Sequence, residues 1–179
     1  GAYCHTEAEA GSDPNSGKAE AVLTEDGKYY NLNGVKIWIT NGGVADLFIV
    51  FAKVKGDKNL SAFIVEKELK GITIGADEEK MGIKGSTTIQ LYMDDVKVPV
   101  ENMLGEQNSG FKIALNILNL GRIKLSGATV GASKATIDHA LNYANERKQF
   151  GTPISNFGAI KFKLSEMAIR TFASESLTY

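Results

Sequence analysis

The spacing of apolar and polar residues changes character near Gly105. Before this position, short apolar runs alternate with turn residues, and after it apolar residues recur at helical spacing over long stretches. Short runs between turns indicate β-strands, whereas a sustained helical period indicates amphipathic helices. We therefore predict an α+β protein in which a small antiparallel β-barrel or sandwich precedes long antiparallel helices.

The strands of the first half are separated by turn dipeptides. Asp26-Gly27 supplies one turn, and Asn33-Gly34 lies between two β-rich runs, which is a strong signal for a two-residue hairpin. Runs 47–54 and 60–65 are apolar enough to be central strands. In full, the pattern predicts strands at 20–24, 29–32, 35–40, 47–54, 60–65, 71–74, 87–93 and 96–98.

The first helix of the second half is unusually long. It covers residues 109–147, on the order of 55 Å at a rise of about 1.5 Å per residue. Gly121, Gly127 and Gly131 lie inside it, where each costs about 1 kcal/mol relative to alanine. They are either tolerated weak positions or places where a partner helix or a ligand approaches closely.

A second helix follows a break at residues 151–153, where glycine and proline interrupt the pattern. Ser155 or Asn156 is the predicted N-cap. An apolar stripe along this helix predicts packing into a core. The stripe runs to the last residue without a stop signal, which predicts that the helical bundle is truncated. It consists of Phe157, Ile160, Leu164, Met167, Ala168 and Phe172.

Composition and charge exclude several classes of protein. A net charge of −1 argues against a general nucleic-acid binder, which would carry a basic excess. The single cysteine, Cys4, forms no intrachain disulfide, and His5 and His139 lack the spacing of metal ligands. The most apolar stretch, 111–132, contains three cationic residues and does not predict a membrane span.

Two stretches carry candidate binding chemistry. Tyr3, Thr6, Gly11 and Ser12 combine hydroxyl donors with a backbone that can approach an anion closely, although an ordinary polar loop has the same composition.

In the second stretch, Trp38 and Thr40 lie on the same face of one strand if side chains alternate regularly. An aromatic ring beside a hydroxyl suits a planar heteroaromatic ligand. The alternative is that the tryptophan belongs to the core.

Five ordered motifs resemble the acyl-CoA dehydrogenase family and cover nearly the whole chain. Residues 3–13 resemble that family's YCxTEPxAGSD signature, and residues 35–41 resemble its WITN flavin segment. Residues 80–86 resemble the loop entering its last barrel strands. Residues 98–105 resemble its VPxxNxLG linker, and residues 146–151 resemble its ERxQFG turn.

Shorter stretches resemble the very-long-chain branch of that family. Residues 119–122 resemble the branch's NNGR and residues 175–179 its ESMAY. There are two departures from the family pattern. Ala8 replaces the usual proline, which predicts a less preorganised loop, and His5 stands where an aliphatic residue is usual, which changes the polarity expected beside a flavin.

The resemblance implies a middle β-barrel domain at 1–105 and the first helices of a truncated C-terminal helical domain at 106–179. It implies FAD as the cofactor and oxidation of acyl-CoA thioesters to trans-2-enoyl-CoA in fatty-acid β-oxidation. The implied substrates have long acyl chains. Electrons would pass to electron-transferring flavoprotein. Two alternatives have the same sequence pattern, a non-enzymatic assembly factor of this fold and an acyl-CoA oxidase.

The resemblance also implies site residues and a homodimer or homotetramer. Arg147, Gln149 and Phe150 would reach the FAD of a neighbouring subunit, and Arg122 with Asn119 would lie near the substrate. For Arg147 and Arg122 a solvated helix face is the alternative. Ser12 would touch both the flavin side and the CoA. The implied cofactor residues of the first domain are Tyr3, Thr6, Gly11, Ser12, Trp38, Ile39 and Thr40.

No catalytic base is expected within the chain. In most of the family the base is a downstream glutamate, and in a minority it lies at the position matched here by Gly121, which has no side chain to accept a proton. The base is therefore expected beyond Tyr179. The resemblance implies a cytoplasmic protein if the source is bacterial and a mitochondrial matrix protein if it is eukaryotic, and it leaves membrane association open.

Overall fold

The computed structural model describes residues 1–179 and contains ten strands and two α-helices. Single turns of 3-10 helix lie at Pro14–Ser16, Val100–Asn102 and Ile154–Asn156. The helices are α1 (Gly110–Glu146) and α2 (Gly158–Thr178). The strands are β1 (Ala2–Cys4), β2 (Glu20–Leu23), β3 (Tyr29–Thr40), β4 (Leu47–Val54), β5 (Leu60–Glu66), β6 (Ile72–Ile74), β7 (Thr88–Pro99), β8 (Met103–Leu104), β9 (Lys148–Gln149) and β10 (Thr152–Pro153).

Strands β1 to β8 form one open sheet, so the predicted closed barrel is wrong. Hydrogen bonds connect the strands in the order β6-β7-β3-β2-β4-β5-β8, with β1 paired to β4 beside this path. A barrel requires the two end strands to pair with each other. Here β6 has three residues and β8 has two, and they bond only to β7 and β5.

The sheet is mixed rather than purely antiparallel. Strands β1 and β2 both run parallel to β4, whereas the other pairings are antiparallel. The parallel pairs arise because the loop between β1 and β2 returns the chain to the same edge of β4. The α+β class is confirmed.

One strand replaces the hairpin that Asn33-Gly34 predicted. The chain continues through both residues as β3, and the register against β7 shifts there. The Asn33 side chain donates to the Asp95 carboxylate and accepts from the Asp95 N–H, both at 2.8 Å. Gly34 takes a φ of 142° in a place where a Cβ would lie 2.9 Å from Ala19 Cα. The dipeptide therefore continues β3 opposite a bulge in β7, where Asp94 and Asp95 both face Asn33, instead of reversing the chain.

The core lies around β4 and β5, which confirms their prediction as central strands. Phe48, Val50, Phe63 and Val65 are fully buried, together with residues from β2, β3 and β7. A second, smaller cluster on the other face of these strands contains Phe51, Leu60, Ala62 and Ala114. Because both faces are covered at this point, the strands read as nearly continuous apolar runs in the sequence.

Helix α1 confirms the long helix predicted at 109–147 within one residue at each end. Its first turn packs closely on β5. The Asn108 N–H donates to Ser61 Oγ at 2.9 Å, and a Cβ at Gly110 would lie 2.7 Å from the Ser61 carbonyl carbon. Neither α-helix is long and apolar enough to cross a membrane.

The chain separates into two compact units, residues 1–115 and 116–179. In the second unit, the remainder of α1 and α2 run antiparallel, joined by the β9–β10 hairpin, and the Lys134 ammonium pairs with the Glu175 carboxylate. The predicted boundary between residues 105 and 106 stays a prediction.

Helix α2 begins one or two residues later than predicted. Phe157 occupies the N-cap without a side-chain hydrogen bond. Asn156 does not cap because its amide donates to Thr152 Oγ1 at 2.7 Å. Along α2 the predicted apolar stripe is only half-buried at Leu164 and Met167 and exposed at Phe172, so its burial in a core is not observed within these residues.

Candidate functional site

A bulge in β3 decides which side chains face solvent. Between Lys36 and Ile39 the strand has one residue more than β7 has opposite it. Before the bulge the buried side chains include Leu32 and Lys36, and after it the buried one is Ile39. Trp38 lies in the bulge with a φ of 54° and is 64% exposed. Without the extra residue Trp38 would share the buried face of Leu32 and Lys36, so the bulge turns its indole to solvent.

The residues after Trp38 alternate as the strand period predicts. Trp38 and Thr40 are both exposed, and Ile39 between them is buried. The exposure excludes the core alternative for the tryptophan. Ile39 pairs with Ile89 inside the main core, so its side chain is unavailable to a ligand and only its backbone could serve one.

Tyr3 belongs to a small aromatic cluster. Its ring lies 5.0 Å from that of Phe51 and its hydroxyl lies 2.8 Å from His5 Nδ1. Burial raises the pKa of Tyr3 to about 12, which keeps the phenol protonated. Burial, followed by the charge of Lys36, lowers the pKa of His5, which favours the neutral imidazole. The cluster holds the Tyr3 ring in a fixed orientation.

A buried ion pair lies next to this cluster. Lys36 is completely buried, and its ammonium donates to Glu7 Oε1 at 2.6 Å and to the His5 carbonyl at 3.1 Å. The Glu7 carboxylate, in a residue only 9% exposed, also accepts from the N–H groups of Lys18, at 2.6 Å, and Ala19, at 3.2 Å. Burial acts to raise the pKa of Glu7, but Lys36 and the two amides outweigh it and hold that pKa below its usual range.

The segment between Glu7 and Lys18 is an exposed loop. Gly11 and Ser12 lie in its outer part, with no other residue within 4 Å of a Cβ placed on Gly11. Gly17 is required where the loop returns, because a Cβ there would lie 2.8 Å from Glu7 Oε1. The loop therefore presents a glycine backbone and a serine hydroxyl to solvent from an anchored base.

A main-chain bond joins the two predicted stretches. The Ile37 N–H donates to the Thr6 carbonyl at 2.9 Å, so Thr6 lies beside the strand one position before the bulge at Trp38. Residues separated by more than thirty positions in the sequence thus form one surface region at the C-terminal end of β3.

Sequence reasoning did not single out Glu7 and Lys36 as site residues. A signal for Lys36 was present, because it shares the even-numbered face of β3 with the buried Tyr30 and Leu32. A lysine on a buried face requires a partner with opposite charge. Which acidic residue supplies it depends on the fold of the 7–19 loop, and the local sequence does not determine that.

The candidate residues of the second unit are exposed. Arg122 Nη1 donates to Asn119 Oδ1 at 2.6 Å, one turn away on α1, so the amide fixes the direction of the guanidinium. Gly121 lies between them with open space around it, as do Gly127 and Gly131. Within this chain no helix approaches these glycines closely.

Arg147, Gln149 and Phe150 lie at the hairpin between the helices. Phe150 and Gly151 both have positive φ, 51° and 78°, the combination of a type I′ turn. Phe150 is 95% exposed, and its ring meets that of Phe157 edge-on at 6.3 Å. The Arg147 and Gln149 side chains are exposed. A bulky residue in a left-handed conformation is unfavourable, so the turn holds Phe150 outward at a cost.

In each unit, therefore, an aromatic side chain is held in solvent by a strained backbone, beside exposed polar groups. Such a set can stack on a planar ring and donate hydrogen bonds around it. No group of three or more His, Cys, Asp or Glu side chains is arranged to hold a metal ion.

Comparison with known proteins gives a consistent result. Residues 2–96 match the model of the acyl-CoA dehydrogenase middle domain, and residues 108–179 match that of the acyl-CoA dehydrogenase C-terminal domain. The chain is 53% identical over 178 residues to a probable acyl-CoA dehydrogenase of Bacillus subtilis (strain 168), covering 99% of this chain and 30% of that protein.

Two further comparisons point to the same family. The chain is 49% identical over 186 residues to the mitochondrial very long-chain specific acyl-CoA dehydrogenase of Rattus norvegicus, covering 99% of this chain and 28% of that protein. A crystal structure of acyl-CoA dehydrogenase complexed with FAD from Bacillus anthracis matches with a TM-score of 0.92 and 49% identity, over 99% of this chain and 30% of that one. The chain thus spans less than a third of the length of these relatives. The resemblance seen in the five motifs is confirmed, and the chain belongs to the acyl-CoA dehydrogenase family.

Proposed function

We propose that this chain forms part of the FAD site of an enzyme that oxidises acyl-CoA thioesters to trans-2-enoyl-CoA. The observation that carries the proposal is the bulge in β3, which turns the Trp38 indole into solvent at a positive φ with the Thr40 hydroxyl exposed two residues later. Backbone strain that exposes a large aromatic side chain does not stabilise the core. It is typical of a position used for binding.

The exposed groups fit a flavin in chemistry and shape. The Trp38 indole offers a flat apolar face for a fused ring system, and Thr40 offers a hydroxyl donor at the ring edge. Tyr3, fixed by His5, and Thr6, fixed beside β3, flank the same region. When bound, FAD would supply the hydride acceptor for the β-carbon, and the protein supplies position and electrostatics.

The 7–19 loop suits the anionic part of such a cofactor or of coenzyme A. Gly11 leaves its N–H accessible, and Ser12 adds a hydroxyl donor. In the second unit, Arg122 offers an oriented guanidinium held by Asn119, which we assign to the substrate. The resemblance of residues 119–122 and 175–179 to the very-long-chain branch supports long-chain acyl groups.

A second copy of the chain would complete the site. The hairpin holds Phe150 in solvent beside the exposed Arg147 and Gln149, so all three side chains are accessible to a neighbouring subunit. We assign Arg147 to the pyrophosphate of the neighbouring subunit's FAD, where its charge is complementary, and Phe150 to the surface beside that cofactor. A homodimer or homotetramer follows, with electron-transferring flavoprotein as the electron acceptor.

The base that removes the α-proton is assigned to a glutamate outside residues 1–179. Gly121, the other position used in the family, has no side chain. The residues of this chain would hold the cofactor and the substrate while that glutamate takes the proton.

The test uses the full-length protein. Trp38→Ala should lose bound FAD, and Thr40→Ala should retain FAD but slow its bleaching by acyl-CoA under anaerobic conditions. Val44→Ala changes an equally exposed apolar residue nearby on the same unit and serves as the control. Full occupancy and unchanged flavin reduction in both site variants would overturn the assignment.

The same full-length protein separates the alternatives. Peroxide produced in step with acyl-CoA consumption would identify an acyl-CoA oxidase. Stable FAD binding without bleaching by acyl-CoA of any chain length would identify a non-enzymatic member of the family.

A further inference from the structure

The buried pair Glu7–Lys36 connects every part of the site region in the first unit. Lys36 is on β3, two residues before Trp38, and its ammonium reaches both the Glu7 carboxylate and the His5 carbonyl. These two acceptors lie on either side of Thr6. One side chain thus ties the bulge in β3 to the segment that leads from Tyr3 into the loop.

The Glu7 carboxylate closes the 7–19 loop at its base. It accepts from the N–H groups of Lys18 and Ala19, so a single side chain at the beginning of the loop holds the backbone at its end. The backbone also pairs Glu7 with Ala10. Two exposed contacts also lie within the loop, an ion pair between the Lys18 ammonium and the Glu9 carboxylate and a hydrogen bond from Ser16 Oγ to the Asp13 carbonyl at 2.7 Å, but Glu7 supplies the buried anchor.

Stability alone does not account for this arrangement. Removing two charges from water is expensive, and replacing a buried ion pair with apolar side chains of similar size is often neutral or stabilising. Lys36 lies in a sheet whose neighbouring buried positions are apolar. An apolar side chain at this position could fill the space, but it could not hold the His5 carbonyl, and without a carboxylate the two loop amides would lose their acceptor.

We propose that Glu7 and Lys36 are positioning residues that hold the 7–19 loop and the Trp38 bulge in a fixed relation, so that the FAD site is formed before the cofactor binds. The inference rests on the proposed function. A preformed site does not lose free energy to loop ordering on binding, so the pair increases affinity without touching the ligand.

The decisive variant replaces both charges at once in the full-length protein. Glu7→Leu with Lys36→Met keeps side-chain volume and leaves no buried charge unpaired, so the protein should still fold cooperatively, with a thermal midpoint lowered only by the lost hydrogen bonds. The amides of Lys18 and Ala19, however, no longer have an acceptor. We expect their hydrogen exchange in the FAD-free protein to accelerate roughly tenfold or more as the loop opens.

The FAD dissociation constant of the FAD-free protein is the second measurement, followed by quenching of flavin fluorescence. We expect the double variant to bind at least about tenfold more weakly, because a tenfold loss corresponds to the ordering of about one residue on binding. The matched control is Lys134→Met with Glu175→Leu, which removes an ion pair of the same residue types from the second unit. Its FAD affinity and the exchange at Lys18 and Ala19 should equal those of the wild type.

Several results would overturn the proposal. An FAD dissociation constant within about twofold of the wild type in the double variant would show that the pair serves stability only. Faster loop exchange with unchanged FAD affinity would show that the loop is held for another purpose. If the wild-type protein itself binds no FAD, the proposed function fails first, and the exchange measurement still reports separately whether the pair holds the loop.

Discussion

Trp38 combines a φ of 54° with an indole that is 64% exposed, which is a costly combination for a bulky residue. Its neighbours show the consequence of the bulge, because Lys36 and Ile39 are both buried although they lie on opposite faces of a regular strand. The unfavourable backbone conformation at Trp38 is the cost of exposing its indole ring. His5 shows the reverse case, a polar ring held inside the fold by contacts with Tyr3 and Phe51.

The first prediction separates the effect of the Trp38 backbone conformation on stability from the effect of the Trp38 side chain on FAD binding. Trp38→Gly removes the unfavourable conformation at little loss of buried surface, so the free energy of unfolding should be unchanged or higher by about 1 kcal/mol. FAD retention by the full-length protein should nevertheless be lost. Chemical denaturation and flavin absorbance measure the two quantities. Ile37→Gly, at a position without a positive φ, should be destabilised, and a destabilised Trp38→Gly would contradict the strain argument.

The second prediction concerns the acid sensitivity of His5. Its pKa is lowered in the folded state, first by burial and then by Lys36, so the unfolded chain binds more protons as the pH falls below about 6.5. Stability contributed by the neutral ring is therefore present above that pH and declines below it. His5→Leu should lose less stability than the wild type between about pH 7.5 and pH 5.5 in thermal unfolding experiments. Parallel pH profiles of the two proteins would exclude a buried neutral histidine.

At the scale of elements, local and long-range features differ in how well the sequence predicts them. Helix α1 was predicted within one residue because its hydrogen bonds connect residues four positions apart and its apolar period repeats over many turns. The Asn33-Gly34 hairpin failed because Asp95, far along the chain, pairs with Asn33 and makes an extended bulge possible. The closed barrel was wrong, and the Glu7–Lys36 pair was missed, for the same reason.

The glycines of α1 supply the third prediction. Gly110→Ala would place a Cβ 2.7 Å from the Ser61 carbonyl carbon and should destabilise the protein by about 1–3 kcal/mol. Gly121→Ala meets no atom within 4 Å and should stabilise the isolated chain by up to about 1 kcal/mol, because alanine is the better helix former. Denaturant unfolding of both variants provides the comparison. A strongly destabilising Gly121→Ala in this chain would mean that another helix occupies the open space, for example in a dimer.

At the scale of the whole molecule, the five motifs predicted the family from ordered residue patterns, and the family models confirm it. The residue pattern also predicted that Trp38 and Thr40 share one strand face, and both are exposed. The pattern did not predict the ion pair that anchors the loop, since burial of a charge depends on the complete sheet. The chain spans less than a third of the length of the relatives described above.

The fourth prediction is that residues 1–179 alone do not dehydrogenate acyl-CoA. No residue of this chain is assigned as the base, and general-base catalysis contributes roughly 10²–10⁴-fold in enzymes. The purified chain with excess FAD and a long-chain acyl-CoA should show no anaerobic bleaching of flavin absorbance. The full-length protein, treated identically, is the positive control. Stoichiometric bleaching by the short chain at a similar rate would reveal a base within it.

The open sheet has a consequence for how the protein behaves in concentrated solution. A free strand edge exposes backbone N–H and C=O groups on which another polypeptide can add, and long edges of this kind nucleate aggregates. Here the strands at both ends of the pairing path, β6 and β8, have three and two residues. Such short edge strands offer few backbone groups for an incoming strand. We therefore expect little edge-to-edge polymerisation although the sheet is open.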